Sequence, residues 1–284
     1  MLENLLKIKT TLPPRAVNII PRPRILYQLN NYLSVPGGME RHLTLVSAPA
    51  GSGKTTLVRE WLAGKEGQAA WYSLDDNDNE RERFWSYFIY ALQTIKQNLG
   101  RGTLEMLRSS SFVPETPAGS ETFLTPLLND LLYLEKPLYL VLDDYHLVED
   151  SSIHEGMVFF IKNMPPRLNL AVATRSDPPW PLARWRPKGR IVEIRQAELR
   201  FSAEETARYL ERVMDKPLPE ADLHTLYRKT EGWVTALRLL AGSLCAAPDT
   251  ASTSGTSAGT SGRYSIFLAM KFSPDSPRQY RIFS

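Results

Sequence analysis

The sequence predicts an α/β fold built on a parallel sheet, followed by a small all-helical domain. Three observations lead there. Five apolar runs of strand length, "HLTLVSA" (42–48), "AAWYSL" (69–74), "PLYLVLDD" (137–144), "NLAVATR" (169–175) and "RIVEIR" (190–195), are rich in β-branched or aromatic residues. Helical patterns lie between several of them, an alternation that implies parallel strands covered on both faces. Beyond residue 200 the strands stop and helical patterns continue alone.

Taken in order, residues 1–40 form a Pro- and Arg-rich lead-in that ends in a short amphipathic helix near 24–33. The sheet-forming part occupies 41–200. Its helices are expected at "KTTLVREWLA", "ERERFWSYFIYALQTI", "ETFLTPLLNDLLYL" and "SSIHEGMVFFIKN". In the second of these, helical spacing sets Phe84, Phe88 and Ala91 on one face, which reads as core packing. Residues 201–247 form the helical part, opened by Ser202 and Glu205 in capping-box spacing and continued by "EADLHTLYRKTEG" and "GWVTALRLLAGSL". Residues 248–284 read as linker and disordered tail, because "TASTSGTSAGTSG" holds only Ala, Ser, Thr and Gly and cannot bury enough apolar surface to fold.

Composition excludes several function classes. The net charge of +3 over 284 residues is too small to argue for nucleic-acid binding. A single cysteine, Cys245, rules out an internal disulfide, and four dispersed histidines give no zinc spacing. The amino-terminal "MLENLLKIKTTLPPR" begins with an acidic residue and lacks a continuous apolar stretch, so neither signal peptide nor membrane span is expected and the cytoplasm is the expected compartment. Two further stretches read as ordinary surface. "DDNDNE" (75–80) lacks the glycine and glutamate of a calcium loop and reads as a solvated loop and helix cap, and "RWRPKGR" (184–190) as loose surface charge.

The chemistry concentrates at the end of the first strand. Ala48, Pro49, Ala50, Gly51, Ser52, Gly53, Lys54, Thr55 and Thr56 match the phosphate-loop pattern G-x-x-x-x-G-K-[ST] except at its first position, where alanine replaces glycine. The loop leaves a strand and enters a helix, so backbone N–H groups and the helix dipole converge on a phosphate. Lys54 is expected to reach the β- and γ-phosphates and Thr55 to ligate Mg²⁺. The run "LYLVLDD" delivers Asp143 and Asp144 to the carboxyl edge of the same sheet, Asp143 toward Mg²⁺ through water and Asp144 toward the attacking water. The next strand ends in Arg175, placed to reach the third phosphate, with a solvated surface arginine as the alternative.

The loop "APAGSGKTT" with "LVLDDYHLVED", "VATRSDPPWPLARWR", "ELRFSAEETARYL" and "TEGWVTALRLLAG" resembles the maltose-regulator (MalT-like) branch of the STAND ATPases, found in LuxR-type bacterial transcriptional regulators. The resemblance covers about residues 5–246. It implies a P-loop NTPase core of the ASCE type, five strands in the order 5-1-4-3-2, that binds ATP or ADP with Mg²⁺, hydrolyses slowly and self-associates when activated. It carries over Lys54 and Thr55 as phosphate and Mg²⁺ residues, Asp143 and Asp144 as the acidic pair, and Arg175 as sensor of the third phosphate. Arg22 and Arg24 fall in the segment that lines the adenine side in relatives. Where many relatives have Gly-x-Pro, this chain has Val234 in place of the proline. The family's inducer and DNA-reading domains do not fit in the residues after 250, so a truncated regulator that does not itself contact DNA is the expectation. The alternatives are a stand-alone P-loop ATPase or kinase-type enzyme, and a nucleotide-independent scaffold.

Overall fold

The computed structural model describes residues 5–17, 19–31, 43–108, 117–214 and 218–246. The expected linker and tail at 248–284 therefore lie outside the described residues. So do His42 and the side chain of Cys245.

The first unit comprises Met1–Arg15, Arg22–Pro49 and Lys54–Gln196. Its elements run α1 (Pro23–Asn31), β1 (Leu43–Ser47), α2 (Lys54–Trp61), β2 (Ala69–Ser73), α3 (Arg81–Gln93), α4 (Arg101–Leu107), α5 (Pro117–Leu132), β3 (Leu138–Asp143), α6 (Ser151–Lys162), β4 (Leu168–Thr174), α7 (Leu182–Trp185) and β5 (Ile191–Arg195), with α8 (Gln196–Leu199) starting at its end. All five strands are parallel, in the order β2-β3-β4-β1-β5. Read from the other edge, this is the expected 5-1-4-3-2.

Successive residues of a strand point to opposite faces, so unbroken burial along β1 and β3 means that both faces of the sheet are covered. The core beside β2 is aromatic. Tyr72 stacks on Tyr87 at 5.5 Å, and Phe84, Trp85, Phe88, Phe123 and Phe160 interlock edge-on or tilted. Phe84, Phe88 and Ala91 are fully buried, as the spacing predicts.

The two stretches expected as surface are mostly exposed or half-buried, and Asp75 caps the turn Asp76–Asn79, but neither is wholly solvated or loose. Asp78, inside "DDNDNE", has no exposure and is paired with Lys9 and Arg83. Burying a carboxylate requires such partners, and one of them comes from sixty-nine positions away. Within "RWRPKGR", Arg186 pairs with Glu193 of β5 and with Asp177.

The second unit comprises Ala16–Pro21, Ala50–Gly53 and the residues from Ala197 onward. Its helices are α9 (Ala203–Met214), α10 (Glu220–Thr230) and α11 (Val234–Ala246). Their core joins Phe201, Tyr209, Leu210, Leu226, Leu237 and Leu240 to Ile20. The capping box is present: Ser202 N–H donates to Glu205 Oε2 at 2.9 Å and Glu205 N–H to Ser202 Oγ at 3.1 Å. Between α10 and α11, Gly232 sits at φ 73°, where a Cβ would stand 2.1 Å from the Phe201 carbonyl oxygen. Only glycine fits there.

Candidate nucleotide site

Strand register builds the site. Ser47 is level with Thr174 on one side and Arg195 on the other, and Ser73 is level with Asp143. The residues that follow the strand ends, Ala48, Asp144 and Arg175, therefore emerge at one carboxyl edge, the edge where parallel α/β sheets bind ligands.

Ala48 continues the ladder, its N–H donating to the Thr174 carbonyl at 3.2 Å. It is buried and its φ is not positive, since among the described non-glycine residues only Asp144 and Glu231 have positive φ. The first loop position therefore asks for no glycine. Gly51 and Gly53 are different: φ is 72° and 84°, a region costly for any residue with a Cβ. At Gly53 a Cβ would meet nothing within 4 Å, so the space over the loop is open. At Gly51 it would lie 2.3 Å from Oγ1 of Thr235, which belongs to the same unit and donates to the Gly51 carbonyl at 2.7 Å. Pro49 and Ala50 carry the loop outward, Ser52 is buried, and Thr56 is exposed on the first turn of α2.

Lys54 opens α2 and is buried. Its Nζ donates to the carbonyls of Ala48 at 2.9 Å and Pro49 at 3.1 Å. Burial lowers its pKa, Asp144 and Asp143 raise it, and Arg175 lowers it again. One residue on, the Thr55 hydroxyl donates to Asp143 Oδ2 at 2.9 Å. Asp143 is buried, and its pKa is pushed up to about 6 by desolvation and by Asp144, against Thr55, the Asp144 N–H and Lys54.

Asp144 follows at φ 59°, a left-handed conformation that is uncommon outside glycine, with its side chain about half exposed. Its Oδ1 lies 3.8 Å from His146 Nδ1. In the sequence the one signal for His146 is its position in "DDYH", two residues after Asp144. Arg175 is exposed, and its charge acts on both Lys54 and His146. The structure thus brings together Lys54, Thr55, Asp143, Asp144 and Arg175. Arg22 is buried at the entry to α1 and Arg24 is exposed. That helix is tied to α2 by Asn30, which accepts from the Trp61 indole at 3.0 Å.

These groups fit a magnesium nucleotide. Mg²⁺ takes one or two carboxylates and completes its shell with water and phosphate oxygens, and Asp143 with Thr55 offers one carboxylate and one hydroxyl oxygen. Among the described residues no group of three or more His, Cys, Asp or Glu could hold a metal unaided. The buried ammonium of Lys54, satisfied only by two carbonyls, and the open space above Gly53 suit a phosphate chain. No helix among the described residues is long and apolar enough to cross a membrane.

Comparison with known proteins identifies the family. Residues 19–173 match the family model described as an AAA ATPase domain. Over 237 residues the chain is 34% identical to the HTH-type transcriptional regulator MalT of Yersinia pestis, covering 84% of this chain and 25% of that protein. The MalT of Yersinia pseudotuberculosis matches to the same extent. The chain thus spans about a quarter of the length of these relatives. Among solved structures, a RuvB mutant of Thermotoga maritima aligns with TM-score 0.42 at 14% identity, over 81% of this chain and 64% of that one. The Aeropyrum pernix ORC1 protein in complex with DNA aligns with TM-score 0.44 at 15% identity, over 81% and 60%.

Proposed function

We propose, for a chain that belongs to the AAA ATPase domain family in its MalT-like form, that it is an ATP/ADP-binding switch module of a LuxR-type transcriptional regulator, with slow Mg²⁺-dependent hydrolysis. In this reading residues 41–200 bind the nucleotide and residues 201–247 respond to its state. Residues 48–56 cradle the phosphates, and Lys54 neutralises the β- and γ-phosphates as a point charge. Thr55 and Asp143 hold Mg²⁺, which supplies charge neutralisation at the phosphates when bound. Asp144 orients the attacking water and Arg175 reads the third phosphate. Arg22 and Arg24 line the adenine side. The output of the ATP-bound form is self-association.

The observation that carries the reading is the Thr55 to Asp143 hydrogen bond, which unites two groups 88 positions apart at the carboxyl edge of the sheet. It supports a working metal-phosphate site over a chance Gly-Lys-Thr turn. The test is calorimetric titration of the protein with ATP and ADP in the presence of Mg²⁺, beside Lys54→Ala. Binding by the wild type that is lost in the variant is expected. Equal affinity in both would sink the site assignment, and steady turnover of many per second without a partner would favour a stand-alone enzyme over a switch.

A further inference from the structure

We propose that Asp177 is the positioning residue for Arg175 and so sets the preference for a nucleoside triphosphate over a diphosphate. A closed ring of alternating charges fixes the loop after β4, and with it the base of the arginine that meets the third phosphate. The proposal rests on the role given to Arg175 above.

β4 ends at Thr174, level with Ser47 of β1, and the chain that follows carries Arg175 and Asp177. Arg195 at the end of β5 grips Asp177 with both terminal nitrogens, Nη1 on Oδ1 and Nη2 on Oδ2, the latter at 3.1 Å. The same Nη2 donates to Glu193 Oε1. Glu193 in turn accepts from Arg186 at both oxygens, Nε to Oε2 and Nη2 to Oε1, each at 2.9 Å. Arg186 Nη2 then returns to Asp177 Oδ2 at 3.3 Å, so the pairs close into a ring. The Arg195 guanidinium holds the Asp177 carboxyl below the ordinary carboxylate range, with the Ser47 side chain and the Arg186 charge adding to it against burial.

These side chains are partly exposed, from 21% at Glu193 to 43% at Arg186. Exposed ion pairs contribute little to stability one by one. Paired two-point contacts between guanidinium and carboxylate do something else: they specify position and angle. A ring in which every side chain answers to two others therefore fixes where the loop lies more than how stable the fold is.

The loop is tied down on either side of Arg175. Before it, Thr174 is buried, and its hydroxyl donates to the Ser176 carbonyl at 2.8 Å. After it come Asp177 in its ring and buried Trp180, which packs on the Tyr145 ring at 4.9 Å. Arg175 itself is exposed, and its charge is felt at Lys54. An arginine with a fixed base gives up only side-chain freedom when it meets a phosphate, whereas one on a loose loop gives up backbone freedom as well. Only the triphosphate carries the group that Arg175 reads, so the effect of Asp177 falls on ATP and spares ADP.

The test measures Kd for ATP and for ADP in Mg²⁺ by calorimetry on the 284-residue protein, its single variants Arg175→Ala, Asp177→Ala and Arg195→Gln, and the double variant Arg175→Ala/Asp177→Ala. Arg175→Ala is expected to weaken ATP about 10-fold, the scale of one hydrogen bond to a charged group, and to leave ADP within about twofold. Asp177→Ala is expected to give most of the same selective loss, and Arg195→Gln a smaller loss in the same direction. In the double variant ATP affinity should match that of Arg175→Ala alone, because Asp177 acts through that arginine. An unchanged ratio of ATP to ADP affinity in Asp177→Ala overturns the proposal. Equal losses for both nucleotides overturn it too, since they mark a disturbance passed through Ser47 to the whole phosphate loop. Additive losses in the double variant also overturn it, for Asp177 would then act apart from Arg175. If Asp177→Ala does not fold, Arg195→Gln alone and combined with Arg175→Ala decides by the same three comparisons. A wild-type protein that binds neither nucleotide overturns the nucleotide-site reading and this proposal together, whereas binding with an unchanged ratio in Arg175→Ala overturns the roles of Arg175 and Asp177 and leaves the phosphate loop standing.

Discussion

The Thr55 hydroxyl donates to the Asp143 carboxylate, 2.9 Å from Oδ2 and 3.2 Å from Oδ1, and so joins the first turn of α2 to the last residue of β3. A helix start and a strand end are tied at the point where a divalent cation would take one oxygen from each. Thr55→Ala is therefore expected to weaken Mg²⁺-dependent ATP binding by at least about tenfold, as loss of one metal ligand does, while Thr55→Ser retains it. Titration with ATP in Mg²⁺ and in EDTA checks this: the alanine variant should show little difference between the two.

Ala48 holds no positive φ, with its N–H committed to Thr174 and its carbonyl to Lys54. Restoring the pattern's glycine should give no gain in nucleotide affinity. Ala48→Gly is expected to cost about 0.5–1 kcal/mol in denaturant unfolding, from the added freedom of the unfolded chain. Tighter ATP binding in that variant would contradict this account of the loop.

Asp143 titrates near 6 in the fold against 3.8 ordinarily, so the fold binds its proton more tightly than the unfolded chain does. The stability this contributes is fully present below about pH 4 and is lost as pH rises through 6. Asp143→Asn escapes that loss. In nucleotide-free protein its stability relative to wild type should rise by on the order of 2 kcal/mol between pH 4 and 7. Urea unfolding at the two pH values measures the difference.

Gly51 combines a left-handed backbone with the nearby Thr235 hydroxyl. Gly51→Ala is expected to lose about 1–3 kcal/mol through backbone strain and collision. Adding Thr235→Ala should return only the part of the collision owed to Oγ1, because the Thr235 Cβ, 2.9 Å from the new methyl, stays. A double-mutant cycle in thermal unfolding gives a non-zero coupling if the contact is as described.

Lys9 is buried against Asp78 and also lies 3.0 Å from Asp75. Lys9→Met removes one partner of a fully buried carboxylate, leaving Arg83 and the Asp75 N–H. A stability loss of about 3 kcal/mol is expected, because the cost is that of the charge left behind. Denaturant titration would show a shift of less than about 0.5 kcal/mol if Arg83 compensates fully.

Patterns of short range were legible in the chain. Strand positions, the strand-loop-helix setting of Lys54, and the capping box of Ser202 and Glu205 all follow from composition and spacing within a dozen residues, because backbone geometry repeats on that scale. The helix Arg101–Leu107 was not foreseen: it is seven residues long and begins behind a left-handed Gly100. A segment that short gives too few turns for periodicity to register.

The burial of Asp78 and the setting of His146 were not legible, and for one reason. Each is decided by partners that the topology brings in from elsewhere: Lys9 for Asp78, and the charges of Lys54 and Arg175 for His146. The order of residues was enough to say that a phosphate loop and an acidic strand end belong to one parallel sheet. Only the packed structure decided that Ala48 needs no glycine, that Thr235 sits over Gly51, and that the His146 imidazole stands beside Asp144. Hydrogen bonds and desolvation act over a few ångströms in space, and distance along the chain does not measure them.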